Sequence, residues 1–346
     1  MTASANRVLV AMSGGVDSSV AAALLRDDGY DVTGVTLKLW GGESDSGCCS
    51  AADVEDARRV AAQLDIPHYV FNFTDDFDAR VVGPYVDAYA GGRTPNPCIE
   101  CNRSIKFGRL LERADVLGYG AVATGHHARV RHASDGRRQL LRGVDSAKDQ
   151  SYVLYMLGQL ELARTLLPVG ELTKAEVREH AARLGLRTAA KPESMDVCFI
   201  TRGSRERFVA ERAGTRPGVV VDTSGAVLGQ HEGVAAFTIG QRRGVGVATG
   251  ERRYVADLEP GTATVVLGRR EDLLRDAVEL RDPCFVAEPP MPNRPLDAQV
   301  RAHGTPVRAF LDGNLVRFDD PQPRVAPGQV VAVYDGDELL GGGIAA

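Results

Sequence analysis

Arg7-Val8-Leu9-Val10-Ala11-Met12 leads without a break into Ser13-Gly14-Gly15-Val16-Asp17-Ser18-Ser19. The first six residues are few and almost wholly apolar, the pattern of a strand buried on both faces. From Ser18 to Asp28 the apolar residues Val20, Ala21, Leu24 and Leu25 recur at helical spacing, and Gly29 is a stop signal. A glycine-rich turn between strand and helix predicts a phosphate loop. Gly14 and Gly15 let backbone N–H groups approach an anion, and the helix adds its positive end. Ser13, Ser18 and Ser19 bring hydroxyl donors, and Asp17 is placed to hold a Mg²⁺ that bridges phosphates. The loop lacks the Gly-Lys-Ser/Thr ending of a Walker loop and the Gly-x-Gly-x-x-Gly spacing of a dinucleotide fold.

Downstream, residues 31–37, 68–73 and 120–126 predict further strands, with a helix from about Ala52 to Leu64. Strands alternating with helices predict an α/β domain over residues 1–200, a parallel sheet that binds ligands at its carboxyl ends. After Cys198 the texture changes to short β-rich runs, among them residues 218–221, 235–239 and 262–267, with turns at Asp312-Gly313, Pro327-Gly328 and Asp335-Gly336. Two small, mainly β domains are expected, over 201–270 and 275–346, the last a β-barrel. The proline-rich stretch from Pro283 to Pro295 reads as a connector between domains.

The chain has 346 residues, long enough for two or three domains. Hydrophobic content of 44% and charged content of 25% are those of a soluble globular protein. No run is apolar enough to span a membrane, and the N-terminus runs straight into a strand, so a cytoplasmic protein is expected. Six cysteines in so long a chain do not make a disulfide scaffold. The net charge of −5 excludes a surface that is basic throughout and leaves room for local basic faces. Arg103, Lys106, Arg109 and Arg113 fall at helical spacing as one such face, which an ordinary solvated helix also explains; Arg242, Arg243, Arg252 and Arg253 mark another.

The phosphate loop resembles that of the N-type ATP pyrophosphatases, which split ATP to AMP and pyrophosphate. Further segments narrow the likeness: residues 91–107 around Asn96-Pro97-Cys98-Ile99-Glu100-Cys101, Ala123-Thr124-Gly125-His126, Lys148-Asp149-Gln150, residues 193–200 around Cys198, residues 237–244 and Leu340-Gly341-Gly342-Gly343. In this order along essentially the entire chain, they resemble the tRNA-specific 2-thiouridylase family.

That resemblance implies an adenine nucleotide alpha hydrolase-like domain followed by two small β domains. It implies ATP and Mg²⁺ as cofactors, the nucleotide lying against Ala11, Met12, Ser13, Gly14, Gly15, Val16, Asp17, Ser18, Leu37 and Gly125. Cys198 accepts a persulfide and Cys101 is the second catalytic cysteine, leaving a Cys101–Cys198 disulfide. Thiolates are the reactive form, and Arg103 and Lys106 beside Cys101 would favour one. The substrates implied are the tRNAs for Lys, Glu and Gln, with a cysteine desulfurase or sulfur-relay protein as donor and the enzyme a monomer. Asn96, Pro97 and Cys98 face the target base; His126, Lys148, Asp149, Gln150, His303, Gly304 and Gln329 lie against the tRNA.

Cys98 stands where some relatives have aspartate, so an acid–base role does not carry over to it. His303-Gly304 replaces an Arg-Tyr pair. Cys98, Cys101 and Cys198 also leave open an iron–sulfur cluster, although no fourth protein ligand is evident. Cys48, Cys49 and Cys284 read as small buried hydrophobes. Two rival readings are another ATP pyrophosphatase, such as a 4-thiouridine synthetase or an amidotransferase, and a non-catalytic tRNA-binding protein.

Overall fold

The computed structural model describes residues 4–40, 50–192, 197–200, 205–248 and 250–346. Cys48, Cys49 and residues 193–196 of the Cys198 segment lie outside them.

The chain opens with β1 (Ser4–Ala11), α1 (Val16–Asp27), β2 (Asp31–Lys38), α2 (Ala51–Gln63), β3 (His68–Asn72) and β4 (Tyr119–Ala123). A hairpin follows, β5 (Ala128–His132) and β6 (Arg138–Arg142), then the short β7 (Thr165–Leu166) and the helix α3 (Lys174–Arg183). The first sheet is parallel in the order β3-β2-β1-β4-β7. Alternation along β1 explains its two-sided burial. Val8 and Val10 pack with Val20 of α1, Val60 of α2 and Val177 of α3, while Leu9 joins Val35, Phe77, Ile105 and Leu110 on the other face.

The second domain is a four-stranded sheet of β8 (Gly218–Asp222), β9 (Val227–His231), β10 (Tyr254–Glu259) and β11 (Thr264–Gly268) in the order β10-β11-β8-β9. The third holds β12 (Leu274–Phe285), β13 (Pro295–Gln299), β14 (Val307–Asp312), β15 (Leu315–Pro323), β16 (Val330–Asp335) and β17 (Glu338–Ala345). Their order is β12-β15-β14-β13-β16-β17, and β12 pairs back with β17 to close a barrel. Closure removes the open edges that invite unwanted pairing.

Three features depart from the sequence reading. Residues 235–239 form no strand; a 3₁₀ turn at Val234–Ala236 delivers Phe237 into the core of the second domain instead. The proline-rich stretch is no connector between domains: Pro283 lies in β12 and Pro295 opens β13. Pro283, which lacks a donor, falls where the β12–β17 register shifts between Arg281 and Cys284. Finally, β6 pairs with β17, Leu140 opposite Leu339, so the hairpin of the first domain extends the barrel sheet.

Candidate active site

β1 and β2 end side by side: Ala11 pairs with Val35, the Met12 N–H donates to Val35 O at 2.8 Å, and Thr36 Oγ1 donates to Met12 O at 2.8 Å. Ala11 and Leu37 therefore stand at the carboxyl ends of adjacent central strands, where such sheets bind ligands. The intervening loop turns at Gly14, φ +73°. Gly15 caps α1 without any side chain on the helix's first N–H groups. Those donors and the helix dipole are what a phosphate requires. The serines brace the loop. Ser18 Oγ accepts from Ser13 N and donates to Gly15 O, both at 3.2 Å, and Ser19 Oγ donates to Gly15 O at 2.8 Å. Gly125, after β4, lies against the same turn; a Cβ there would stand 2.6 Å from Ser18 N.

Asp17 faces two partners that the sequence did not reveal. Lys174 Nζ donates to both carboxylate oxygens at 2.7 Å, and His127 Nε2 lies 3.2 Å from Oδ1. Burial alone would raise the Asp17 pKa, but the hydrogen bonds from His127 and Lys174 prevail and hold it below the ordinary carboxylate range. Lys174 sits at the first turn of α3 inside a Thr173–Glu176 capping box, so in sequence it reads only as a helix start. Magnesium bound to a nucleotide needs one or two protein carboxylates beside the phosphates; Asp17 is the carboxylate at this loop, and both its oxygens are engaged by Lys174.

Pro97–Glu100 is a helical turn that continues as a π-helix over Cys101–Arg109, a geometry frequent at functional sites. Cys98 is exposed on the first turn and Cys101 is buried. Cys101 belongs to the main apolar core, and Cys198 packs against that same core. Phe199 anchors the Cys198 segment: it is 3% exposed, with Tyr85, Phe208 and Phe77 ring centroids at 5.3, 5.4 and 5.7 Å. Among the described residues, no group of three or more His, Cys, Asp or Glu is arranged to hold a metal ion, so Cys98, Cys101 and Cys198 do not form a cluster cradle there. Cys284, in the barrel, donates to Met156 O at 3.5 Å, and burial pushes its thiol up.

The basic residues on the Cys101 helix have acidic and aromatic partners. Arg103 donates to Tyr155 OH at 3.0 Å and pairs with Glu100 at 3.5 Å; Arg109 pairs with Asp76 and Glu112; Arg113 covers Phe71. On the second domain Arg242, Arg243 and Arg252 are exposed.

The expected base and tRNA contacts divide by exposure. Asn96 Oδ1 accepts from Cys98 N at 3.0 Å as a helix cap, and Pro97 is buried at the first helical position. His126 is buried, its Nδ1 2.7 Å from Thr124 Oγ1 and its ring 6.0 Å from that of Phe107. Burial, then Lys106 and His127 nearby, drive its pKa well below the histidine range, so it offers a neutral ring. Asp149 is buried, its carboxylate accepting from Arg142, Gly143 N and Ser151. Gln150 is exposed, although its Oε1 accepts from His127 N at 3.0 Å, and Lys148 is half-buried. His303 and Gly304 form a turn braced by Gln299, which donates to Arg301 O and Ala302 O. Gln329 Nε2 donates to Thr94 O.

Family models match in three consecutive blocks: a tRNA methyl transferase HUP domain over residues 6–202, a tRNA methyl transferase PRC-barrel domain over 206–269, and an aminomethyltransferase beta-barrel domain over 275–345. The chain is 47% identical over 367 residues to the tRNA-specific 2-thiouridylase MnmA of Roseiflexus sp. (strain RS-1), covering 97% of this chain and 98% of that protein. It is 48% identical over 349 residues to the protein of that name from Moorella thermoacetica, with coverage of 97% and 98%. Among solved structures, a U34-tRNA thiolase NcsA from Methanococcus maripaludis is similar at 18% identity and a TM-score of 0.37, covering 59% of this chain and 62% of that one. With a family model over more than half its length and near-half identity to relatives along almost all of it, the chain belongs to the tRNA-specific 2-thiouridylase family.

Proposed function

We propose that the protein adenylates the C2 oxygen of the wobble uridine in the tRNAs for Lys, Glu and Gln, and replaces that oxygen with sulfur. A carbonyl oxygen leaves poorly; transfer of AMP to it, with release of pyrophosphate, makes it a leaving group. The phosphate loop and the uncapped start of α1 would hold the triphosphate, and Asp17 would share an oxygen, now on Lys174, with a Mg²⁺ that shields the phosphate charge. Lys174 and His127 keep Asp17 ionised and in place. Cys198 carries a persulfide delivered by a cysteine desulfurase or a sulfur-relay protein. The Cys101 thiolate attacks the Cys198 sulfur, the S–S bond of the persulfide breaks, and hydrosulfide departs. Hydrosulfide adds to C2, AMP leaves with the oxygen, and one proton is released. A Cys101–Cys198 disulfide remains, which an external thiol reduces. The setting is the cytoplasm, with the enzyme acting as a monomer on tRNA.

What supports this reading is a phosphate loop at the carboxyl end of β1 in the same domain as two cysteine segments that pack against one apolar core. The test is thiolation of unmodified tRNA transcripts with ATP, Mg²⁺, a desulfurase and cysteine, read by nucleoside mass spectrometry. Wild type yields 2-thiouridine at the wobble position; Cys101→Ser and Cys198→Ser yield none. Thiolation by either variant overturns the assignment of that cysteine.

A further inference from the structure

Seven residues before Cys198 stands Lys191, which no motif singles out. An ammonium has three protons, and Lys191 directs them to three acceptors elsewhere in the fold: Gly14 O at 3.0 Å, Asp53 Oδ1 at 2.6 Å and Asp56 Oδ2 at 2.7 Å. The phosphate loop and the first turn of α2 already touch there, for a Cβ on Gly14 would lie 2.3 Å from the Asp53 carbonyl oxygen. In a trans peptide the C=O and the next N–H point in opposite directions. A Gly14 carbonyl held toward Lys191 therefore turns the Gly15 N–H the other way. The strap around Lys191 is pinned from its far side as well. Arg178 of α3 donates to Ala189 O at 2.5 Å and to Lys191 O at 3.2 Å, and Arg187 lies 3.5 Å from Asp56.

We propose that Lys191 is a positioning residue for the reaction, tying the phosphate loop to the segment that carries Cys198. The proposal rests on the thiolase reading above. Lys191 acts in two separable ways. Its charge offsets two carboxylates that otherwise stand behind the triphosphate site, and its side chain's hold on Gly14 O, Asp53 and Asp56 fixes where the Cys198 segment begins. Burial opposes that charge, but Asp53 and Asp56 outweigh it and hold the ammonium above the ordinary lysine range.

The experiment uses the full chain as wild type, Lys191→Met, Lys191→Arg and the triple variant Lys191→Met/Asp53→Asn/Asp56→Asn. Two quantities are read: KM for ATP in tRNA-dependent pyrophosphate release, and the iodoacetamide alkylation rate of Cys198 by peptide mass spectrometry. Lys191→Met is expected to raise KM about tenfold. The triple variant, rid of both negative charges that Lys191 offsets, returns KM to within about threefold of wild type. Cys198 alkylation changes about fivefold or more in both, since neither retains the tether, while Lys191→Arg restores part of each effect.

A Cys198 alkylation rate unchanged in Lys191→Met overturns the proposal. So does a KM that the triple variant fails to restore while its melting temperature matches that of wild type. If the wild type releases no pyrophosphate with tRNA, the thiolase reading fails on its own, and the alkylation rates still judge the tether.

Discussion

The side-chain amide of Gln329, in the barrel, donates to the backbone carbonyl of Thr94 at 2.7 Å, across 235 positions of sequence. Thr94 N in turn donates to Pro327 O at 2.7 Å, and a Cβ on Gly328, φ +91°, would stand 3.1 Å from Thr94 N. The barrel thus holds the main chain two residues before Asn96. Gln329→Ala is expected to cost about 1 kcal/mol of stability and to lower thiolation more than it raises KM for ATP. Equal losses in both would place its effect elsewhere.

Phe199 locates its neighbour Cys198 through packing. Phe199→Ala empties the space between Tyr85, Phe208 and Phe77 and is expected to cost about 3–5 kcal/mol. Chemical denaturation measures that loss. Under conditions where the variant remains folded, sulfur transfer falls while pyrophosphate release persists.

Lys174→Met leaves Asp17 with His127 as its one neighbour among those described. Adenylation is expected to fall on the order of 10²-fold, the scale of a positioning group displaced by about an ångström, because Asp17 loses the ammonium that fixes both its oxygens. Rapid-quench measurement of AMP transfer to tRNA checks it; a loss confined to tRNA affinity would contradict it.

The depressed pKa of Asp17 makes its contribution depend on pH. A carboxylate held lower in the folded state stabilises above its unfolded pKa of roughly 4, and loses that effect as pH falls through the folded value. The stability difference between wild type and Asp17→Asn is therefore largest at neutral pH and closes in acid. Urea titrations from pH 7 to pH 3 follow the gap; a constant gap would contradict the pairing.

Cys284→Ala is expected to thiolate tRNA within about twofold of wild type. Its thiol is raised by burial and directed at Met156 O, which suits a packing role. Abolished turnover in a folded Cys284→Ala protein would give it a chemical part.

The parallel sheet and phosphate loop were legible because their signals are local: an apolar run, two glycines and a helical period, all within residues 7–28. Lys174 and Lys191 were not, since each acts on partners more than 130 positions away, and a lysine near a helix end has no distinctive pattern. The β5–β6 hairpin escaped for the same reason, its outer partner β17 lying near the other end of the chain. Asn96 and Asp149 were expected against the target base and the tRNA from the family resemblance. The structure shows that Asn96 Oδ1 caps a helix and that the Asp149 carboxylate meets Arg142 and Ser151 within the fold.

The pairing of Leu140 with Leu339 has a consequence for how the protein comes apart. Leu140, Tyr152, Val330 and Tyr334 share one core, and Tyr152 OH donates to Val330 O at 2.7 Å. Removing the last seventy or so residues would leave β6 with a raw strand edge and the cysteine-bearing half with an uncovered apolar face. First and third domains are therefore expected to melt in a single transition rather than two, the barrel acting as a lining for the first domain's core.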